Sequence, residues 1–301
     1  MMKVVFMGTP DFSVPVLEML IKRTNVILVV TQPDKAVGRR KQLAISPVKK
    51  VALEHNIEVF QPQKIRQDFA KIKELKPDLI VTCAYGQILP QKLLDIPFLG
   101  AINVHASLLP KYRGSAPIQW ALLNGEEKTG ITLMYMDAGM DTGDMIEKSV
   151  YEIKPTDNCG EIHDQLAKMG AELLEKNLEG IKNKTVQREK QNDDEATYAP
   201  MIKREDELLD FNVTGELFLN KIRAFNPWPL AYINYQNTQI KILNATFESR
   251  KSNPGNFIIT KDKFGVEVLD GIVYFTQIKP VGKKQMDVKS FLNGLKNKGD
   301  F

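Results

Sequence analysis

Residues 77–86 read PDLIVTCAYG and residues 100–107 read GAINVHAS. Each is a short, almost wholly apolar run that meets a glycine at one end. A strand with one wet face would alternate polar and apolar residues. Runs without alternation belong in a sheet covered on both faces, which is the usual setting of parallel strands. Working outward from here, KVVFMG (3–8), VILVVTQ (26–32) and IEVFQP (57–62) are further strand candidates, and TGITLMYMD (129–137) is another. Between them, PVLEMLIKR (15–23), PVKKVALEHN (47–56) and DFAKIKELK (68–76) carry apolar residues at helical spacing, and APIQWALLNG (116–125) is a helix closed by Gly125. Strands alternating with helices of this length predict an α/β fold with a mostly parallel sheet, Rossmann-like in its first half.

The pattern changes after residue 183. NKTVQREKQNDDEATYAPMI (183–202) is polar and weakly periodic and reads as a linker. Beyond it, a helix-like TGELFLNKIRAF (214–225) is followed by short alternating runs separated by the turn signals Asn253-Pro254-Gly255 and Asp270-Gly271. That reads as an antiparallel barrel or sandwich. The expected division is a catalytic domain over 1–183, a linker over 184–202 and a second domain over 203–301.

Composition narrows the function class. No apolar run approaches the roughly 20 residues of a membrane span, and the first residues read as a strand, not a signal peptide. Cys83 and Cys159 are the two cysteines and lack metal spacing, so neither a disulfide framework nor a thiolate metal site is expected and a cytoplasmic setting is. The net charge of +4 is uneven: residues 203–301 hold 15 Lys and Arg against 11 Asp and Glu, while the rest of the chain is balanced. A basic module beside a neutral one suits a polyanionic partner. The stretch QPDKAVGRRKQLAISPVKK (32–50), with six Lys and Arg, is too polar for a core and reads as an exposed basic loop. GTPDF (8–12) is not a G-x-G-x-x-G fingerprint and no phosphate-binding P-loop occurs, which removes the main support for a dinucleotide enzyme or a P-loop nucleotidase.

The chemistry-bearing residues gather around two stretches. Asn103 and His105 lie two apart on a strand, so their side chains share a face. The loop DAGMDTGDM (137–145) follows another strand and holds Asp137, Asp141 and Asp144 among glycines. A histidine and an amide can donate to a developing oxyanion, and a carboxylate can orient the histidine and help move a proton. No serine or cysteine stands at a nucleophile elbow, so direct attack of an amine on a carbonyl carbon fits. Spacing alone does not choose among the three aspartates.

INVHASLLPKYRGSAPIQWAL (102–122), with its Asn-x-His core followed by Ser-Leu-Leu-Pro, resembles the signature of the folate-dependent formyltransferases, and MDAGMDTGDMI (136–146) resembles that family's aspartate loop. GTPDF, TQPDKAVGRRKQLAISPVKKVA (31–52), AYGQILP (84–90) and IRAFNPWPLAY (222–232) extend the likeness from residue 8 to about 232, toward the branch that acts on a charged tRNA. The resemblance implies Asn103, His105 and Asp141 as the catalytic trio and 10-formyltetrahydrofolate as co-substrate, with no metal. It implies initiator methionyl-tRNA as acceptor and a C-terminal OB-like β-barrel. It places the folate beside Ser107, Leu108, Leu109 and Pro110 and the strand end carrying Tyr85, Gly86, Ile88 and Leu89. It places tRNA contacts at Arg39, Arg40 and Lys41. A monomer with no membrane partner is expected. The alternatives are a related folate enzyme acting on a small amine, which needs neither the basic loop nor a basic second domain, and a non-catalytic tRNA-binding protein, which would have no need of the trio.

Overall fold

The computed structural model describes residues 1–37, 42–236 and 238–296. The chain divides into two compact units. The first comprises residues 1–117, 128–152 and 163–200, and the second comprises 118–127, 153–162 and the chain from Met201 onward.

The first unit is built on a seven-stranded sheet. Its strands are β1 (Lys3–Gly8), β2 (Asn25–Val30), β3 (Val59–Phe60), β4 (Leu79–Cys83), β5 (Ala101–His105), β6 (Lys128–Tyr135) and β7 (Met145–Glu152). They lie in the order β7-β6-β5-β4-β1-β2-β3. The five strands from β5 to β3 are mutually parallel, and β6 and β7 close one edge as antiparallel neighbours. The apolar runs explain the arrangement. Every residue of β4 is buried, as are the last five of β1. Helices α1 (Val14–Arg23), α2 (Pro47–Glu54) and α3 (Ala70–Leu75) connect the first four strands. Ser46 caps α2 by accepting from the Lys49 amide, and Pro47 stands where its missing N–H costs nothing.

The chain winds outward from β1 to β3 and then returns to β4 on the other side of β1. Strand order therefore reverses beside β1, and loops after the carboxyl ends of such strands are where ligands bind in doubly wound sheets. Two elements that follow β6 are among those absent from the sequence reading. One is β7, an edge strand in which Met145 alone is buried, so few apolar residues mark it. The other is the 24-residue helix Cys159–Lys182, which buries Ile162, Leu166, Leu173, Leu174, Leu178 and Ile181 along one stripe.

In the second unit the strands Tyr232–Tyr235, Thr238–Ser249, Gly271–Pro280, Phe264–Val268 and Phe257–Ile259 neighbour one another in that order, all antiparallel, and Met286–Asp287 adds to Gly271–Pro280. The register of Thr238–Ser249 shifts on both sides of Asn244. Bulges of this kind let a long strand bend, and the sheet curls into a half-barrel. Phe264 is fully buried and meets the rings of Phe275 and Phe291 at 5.2 and 5.8 Å. Arg223 ties the segment before Cys159 to this unit, donating to the carbonyls of Lys154, Pro155 and Asp157. Trp228 is 43% exposed. Among the described residues no helix is long and apolar enough to cross a membrane.

Gly8 ends β1 where no side chain fits: a Cβ there would lie 2.8 Å from the Phe6 ring, 2.9 Å from Ser13 Cβ and 3.0 Å from the Cys83 carbonyl oxygen. Gly8→Ala should therefore destabilise the protein by about 1–3 kcal/mol; a urea midpoint equal to that of the wild type would contradict this packing. Burial pushes the thiols of Cys83 and Cys159 up to about 12. The thiolate is the reactive form, so at pH 8 neither should be alkylated by iodoacetamide in the native protein, and both should react in urea. Labelling of either native thiol at pH 8 would refute the assignment.

Candidate active site

Strand β5 runs between β4 and β6, which sets Asn103 opposite Thr82 on one side and Met134 on the other. His105, the last residue of β5, lies opposite Thr132 and is 6% exposed. Both functional side chains thus stand on a strand fixed by neighbours on both edges. The Thr82 hydroxyl donates to Asn103 Oδ1 at 2.8 Å. That bond sets the amide orientation and turns Asn103 Nδ2 toward Asp141 Oδ1, 3.4 Å away. An amide nitrogen carries two hydrogens, which leaves Asn103 a second donor to offer.

Asp141 comes from the loop between β6 and β7 and has a left-handed backbone, φ 56°, a conformation aspartate tolerates better than most residues. Its Oδ2 accepts from the Gly114 amide at 2.9 Å and lies 3.7 Å from His105 Nδ1. The structure thereby brings Asn103, His105 and Asp141 together. It also separates the three aspartates of the loop. Asp137 accepts from the Gly139 amide and the Thr142 hydroxyl, and Asp144 pairs with Arg188 at 3.1 Å.

His105 Nε2 lies 3.0 Å from the Tyr112 carbonyl oxygen. A carbonyl only accepts, so Nε2 carries the hydrogen. A neutral ring then presents its Nδ1 lone pair toward the Asp141 carboxylate, 3.7 Å away. The pair can shuttle a proton, while Asn103 can donate to a negative oxygen.

The residues expected to hold the folate have different environments. Ser107 is fully buried; its hydroxyl donates to the Lys111 carbonyl and its own carbonyl accepts from Thr132. Leu109, also fully buried, packs with Met134 and Met145. Pro110 is buried and Leu108 half-buried. Tyr85 and Leu89 belong to the apolar core around β1 and β4, whereas Gly86 and Ile88 are exposed. The Tyr85 hydroxyl is buried with no hydrogen-bond partner among the described residues, and burial pushes it up to about 12. A cavity of about 390 Å³ opens at the amino end of β5, lined among others by Gln91, Asp95, Ala101, Tyr135, Lys184 and Arg188, and neither the trio nor the residues expected to hold the folate line it. Ala101 shares its face of β5 with Asn103 and His105, and Met136 Sδ is 3.2 Å from the Thr82 hydroxyl.

The basic stretch after β2 forms a short hairpin, Lys35–Val37 against Gln42–Ala44. Its base is tied by Lys49, which donates to Asp34 at 2.6 Å and to Gln61 at 2.7 Å. Arg39, Arg40 and Lys41 lie outside the described residues. Among the described residues no three His, Cys, Asp or Glu side chains gather so as to hold a metal ion.

Residues 2–178 match the family model described as formyl transferase, and residues 201–296 match the one described as formyl transferase, C-terminal domain. The methionyl-tRNA formyltransferase of Clostridium tetani is 48% identical over 98% of this chain and 97% of its own length. That of Bacillus subtilis is 49% identical over 98% and 95%. A solved N-formyltransferase from Helicobacter canadensis, in complex with folinic acid and dTDP-3-aminofucose, shares the fold with a TM-score of 0.71 at 22% identity, covering 95% of this chain and 100% of that one.

The site makes one prediction that needs no substrate. Nitrogen-15 spectra of the native protein should show His105 carrying a hydrogen on Nε2; a ring protonated only at Nδ1 would overturn the arrangement.

Proposed function

Because the chain belongs to the formyl transferase family, we propose that it transfers a formyl group from 10-formyltetrahydrofolate to the α-amine of methionine on initiator methionyl-tRNA. The observation that supports this most is the gathering of Asn103, His105 and Asp141 at one point, where a tetrahedral intermediate has both a donor and a proton acceptor within reach.

The neutral amine attacks the formyl carbon, a C–N bond forms and the carbonyl oxygen becomes an oxyanion. The free hydrogen of Asn103 Nδ2 donates to that oxygen. His105, when protonated on both nitrogens, adds its positive charge nearby and is held by the Tyr112 carbonyl and the Asp141 carboxylate. Asp141 accepts the proton leaving the amine, directly or through a water. Collapse of the intermediate breaks the bond to the folate nitrogen, which takes up a proton, and leaves the formamide. No covalent enzyme intermediate is needed. The folate ring is proposed to lie beside Ser107, Leu108, Leu109 and Pro110 and the strand end carrying Tyr85, Gly86, Ile88 and Leu89, where ligands of doubly wound sheets bind. Arg39, Arg40 and Lys41 of the basic stretch 32–50 and the basic second unit are proposed to meet the tRNA backbone, where contacts are salt-dependent.

Formyl transfer from 10-formyltetrahydrofolate to charged initiator methionyl-tRNA tests the reading, with glycinamide ribonucleotide as rival acceptor. We expect transfer to the tRNA alone. His105→Ala should lower kcat by about 10²–10⁴-fold, and Arg39→Ala should raise KM for the tRNA with a smaller change in kcat. Transfer to the small amine, or turnover indifferent to His105, would refute the proposal.

A further inference from the structure

Residues 188–199 cross the loop that carries Asp141 as a strap. Glu189 and Met145 exchange backbone hydrogen bonds at 2.8 and 2.9 Å. Tyr198 and Ala199 pair with Arg113 and Gly114 as a short parallel ladder. The Thr197 carbonyl accepts from the Arg113 amide and its hydroxyl from the Tyr112 amide, both at 2.9 Å. Gly114 has φ 126°, and a Cβ there would lie 2.6 Å from the Ala199 carbonyl oxygen, so the strap and this glycine are in direct backbone contact.

Gln191 sits at the centre of the strap. Its Nε2 donates to the carbonyl oxygens of Asp141 and Gly143, each at 2.8 Å. Its Oε1 accepts from Arg113 Nε and from one terminal nitrogen of Arg113 at 3.0 and 2.9 Å. Arg113 is 2% exposed, and its charge is met by Asp193 at 2.7 Å. A closed ring of contacts results. Gly114 holds the Asp141 carboxylate, the adjacent Arg113 holds Gln191, and Gln191 holds the Asp141 backbone. The orientation of a side chain is set when both its backbone and its tip are fixed, and here both are fixed from the same dipeptide, Arg113-Gly114. Within the loop, Asp137 accepts from the Gly139 amide and the Thr142 hydroxyl, which hold its own turn and do not touch the Asp141 side chain.

We propose that Gln191 is a positioning residue for formyl transfer: by fixing the backbone at Asp141 and Gly143 it aims the Asp141 carboxylate at His105. The inference rests on the reaction given above. A glutamine suits the role because one uncharged group supplies two donors and an acceptor. Gln191→Glu keeps an acceptor for Arg113 but removes both donors and sets a carboxylate against two carbonyls. Gln191→Met keeps the length and removes the polar contacts.

The test measures steady-state formylation of methionyl-tRNA and backbone hydrogen exchange of both variants beside the wild type. Small misplacements at a reacting centre cost up to about 100-fold. The expected result is a fall in kcat of about 10- to 100-fold with KM values for both substrates nearly unchanged, and faster exchange over 137–146 while β4 and β5 stay protected. A kcat close to that of the wild type in either variant overturns the proposal. So does exchange that rises throughout the first unit, or failure to fold, since Gln191 would then support the unit as a whole. Absence of formylation by the wild type would refute the reaction instead, and the exchange arm would still report on the loop.

Discussion

The hydrogen bond from the Gly114 amide to Asp141 Oδ2 is the contact on which the rest of the site depends. It joins a loop after β6 to the turn after β5 and so brings a carboxylate to the end of a buried strand. Three conditions permit it. Residue 114 must adopt a conformation open to glycine. Asp141 must take a left-handed backbone. The turn after β5 must be rigid, and the Ser107, Lys111 and Thr132 hydrogen bonds make it so. With the carboxylate in place, the two histidine nitrogens have different partners and the Asn103 amide has one orientation.

Much of this was legible in the sequence, for stated reasons. A strand without alternation tells of cover on both faces, and all of the strands expected in the first half of the chain appear, with ends that differ by a few residues. The Asn-x-His spacing fixes a common face because strand geometry has a period of two. The aspartate was not legible from spacing. Asp137, Asp141 and Asp144 stand in one loop with equivalent neighbours, and what separates them is long-range: Asp141 meets Gly114, 27 positions away, and Asp144 meets Arg188, 44 positions away. Resemblance to a family selected Asp141, where residue patterns left the choice open.

The segment 184–200 shows the opposite case. Its polarity and weak period describe a connection over the surface, and its composition gives no sign of the contacts it makes. Those contacts use backbone groups and polar side chains, which leave no periodic trace, and they reach partners up to 87 positions away, from the Thr197 amide to the Pro110 carbonyl. The helix Cys159–Lys182 before it does carry a periodic trace, as its buried stripe shows.

The polarity of that segment follows from Arg113. A guanidinium buried to this degree is costly unless each of its faces finds a partner, and leaving a buried charge unpaired costs roughly 3–5 kcal/mol. Arg113 lies in the turn after β5, and the side chains that meet it come from outside that turn. The partners must come from a chain segment that passes over the turn, and Gln191 and Asp193 are what that segment provides. An apolar crossing would cover Arg113 without satisfying it. The requirement of one buried arginine therefore accounts for a polar strap, and the same strap lies across the loop whose carboxylate the chemistry needs.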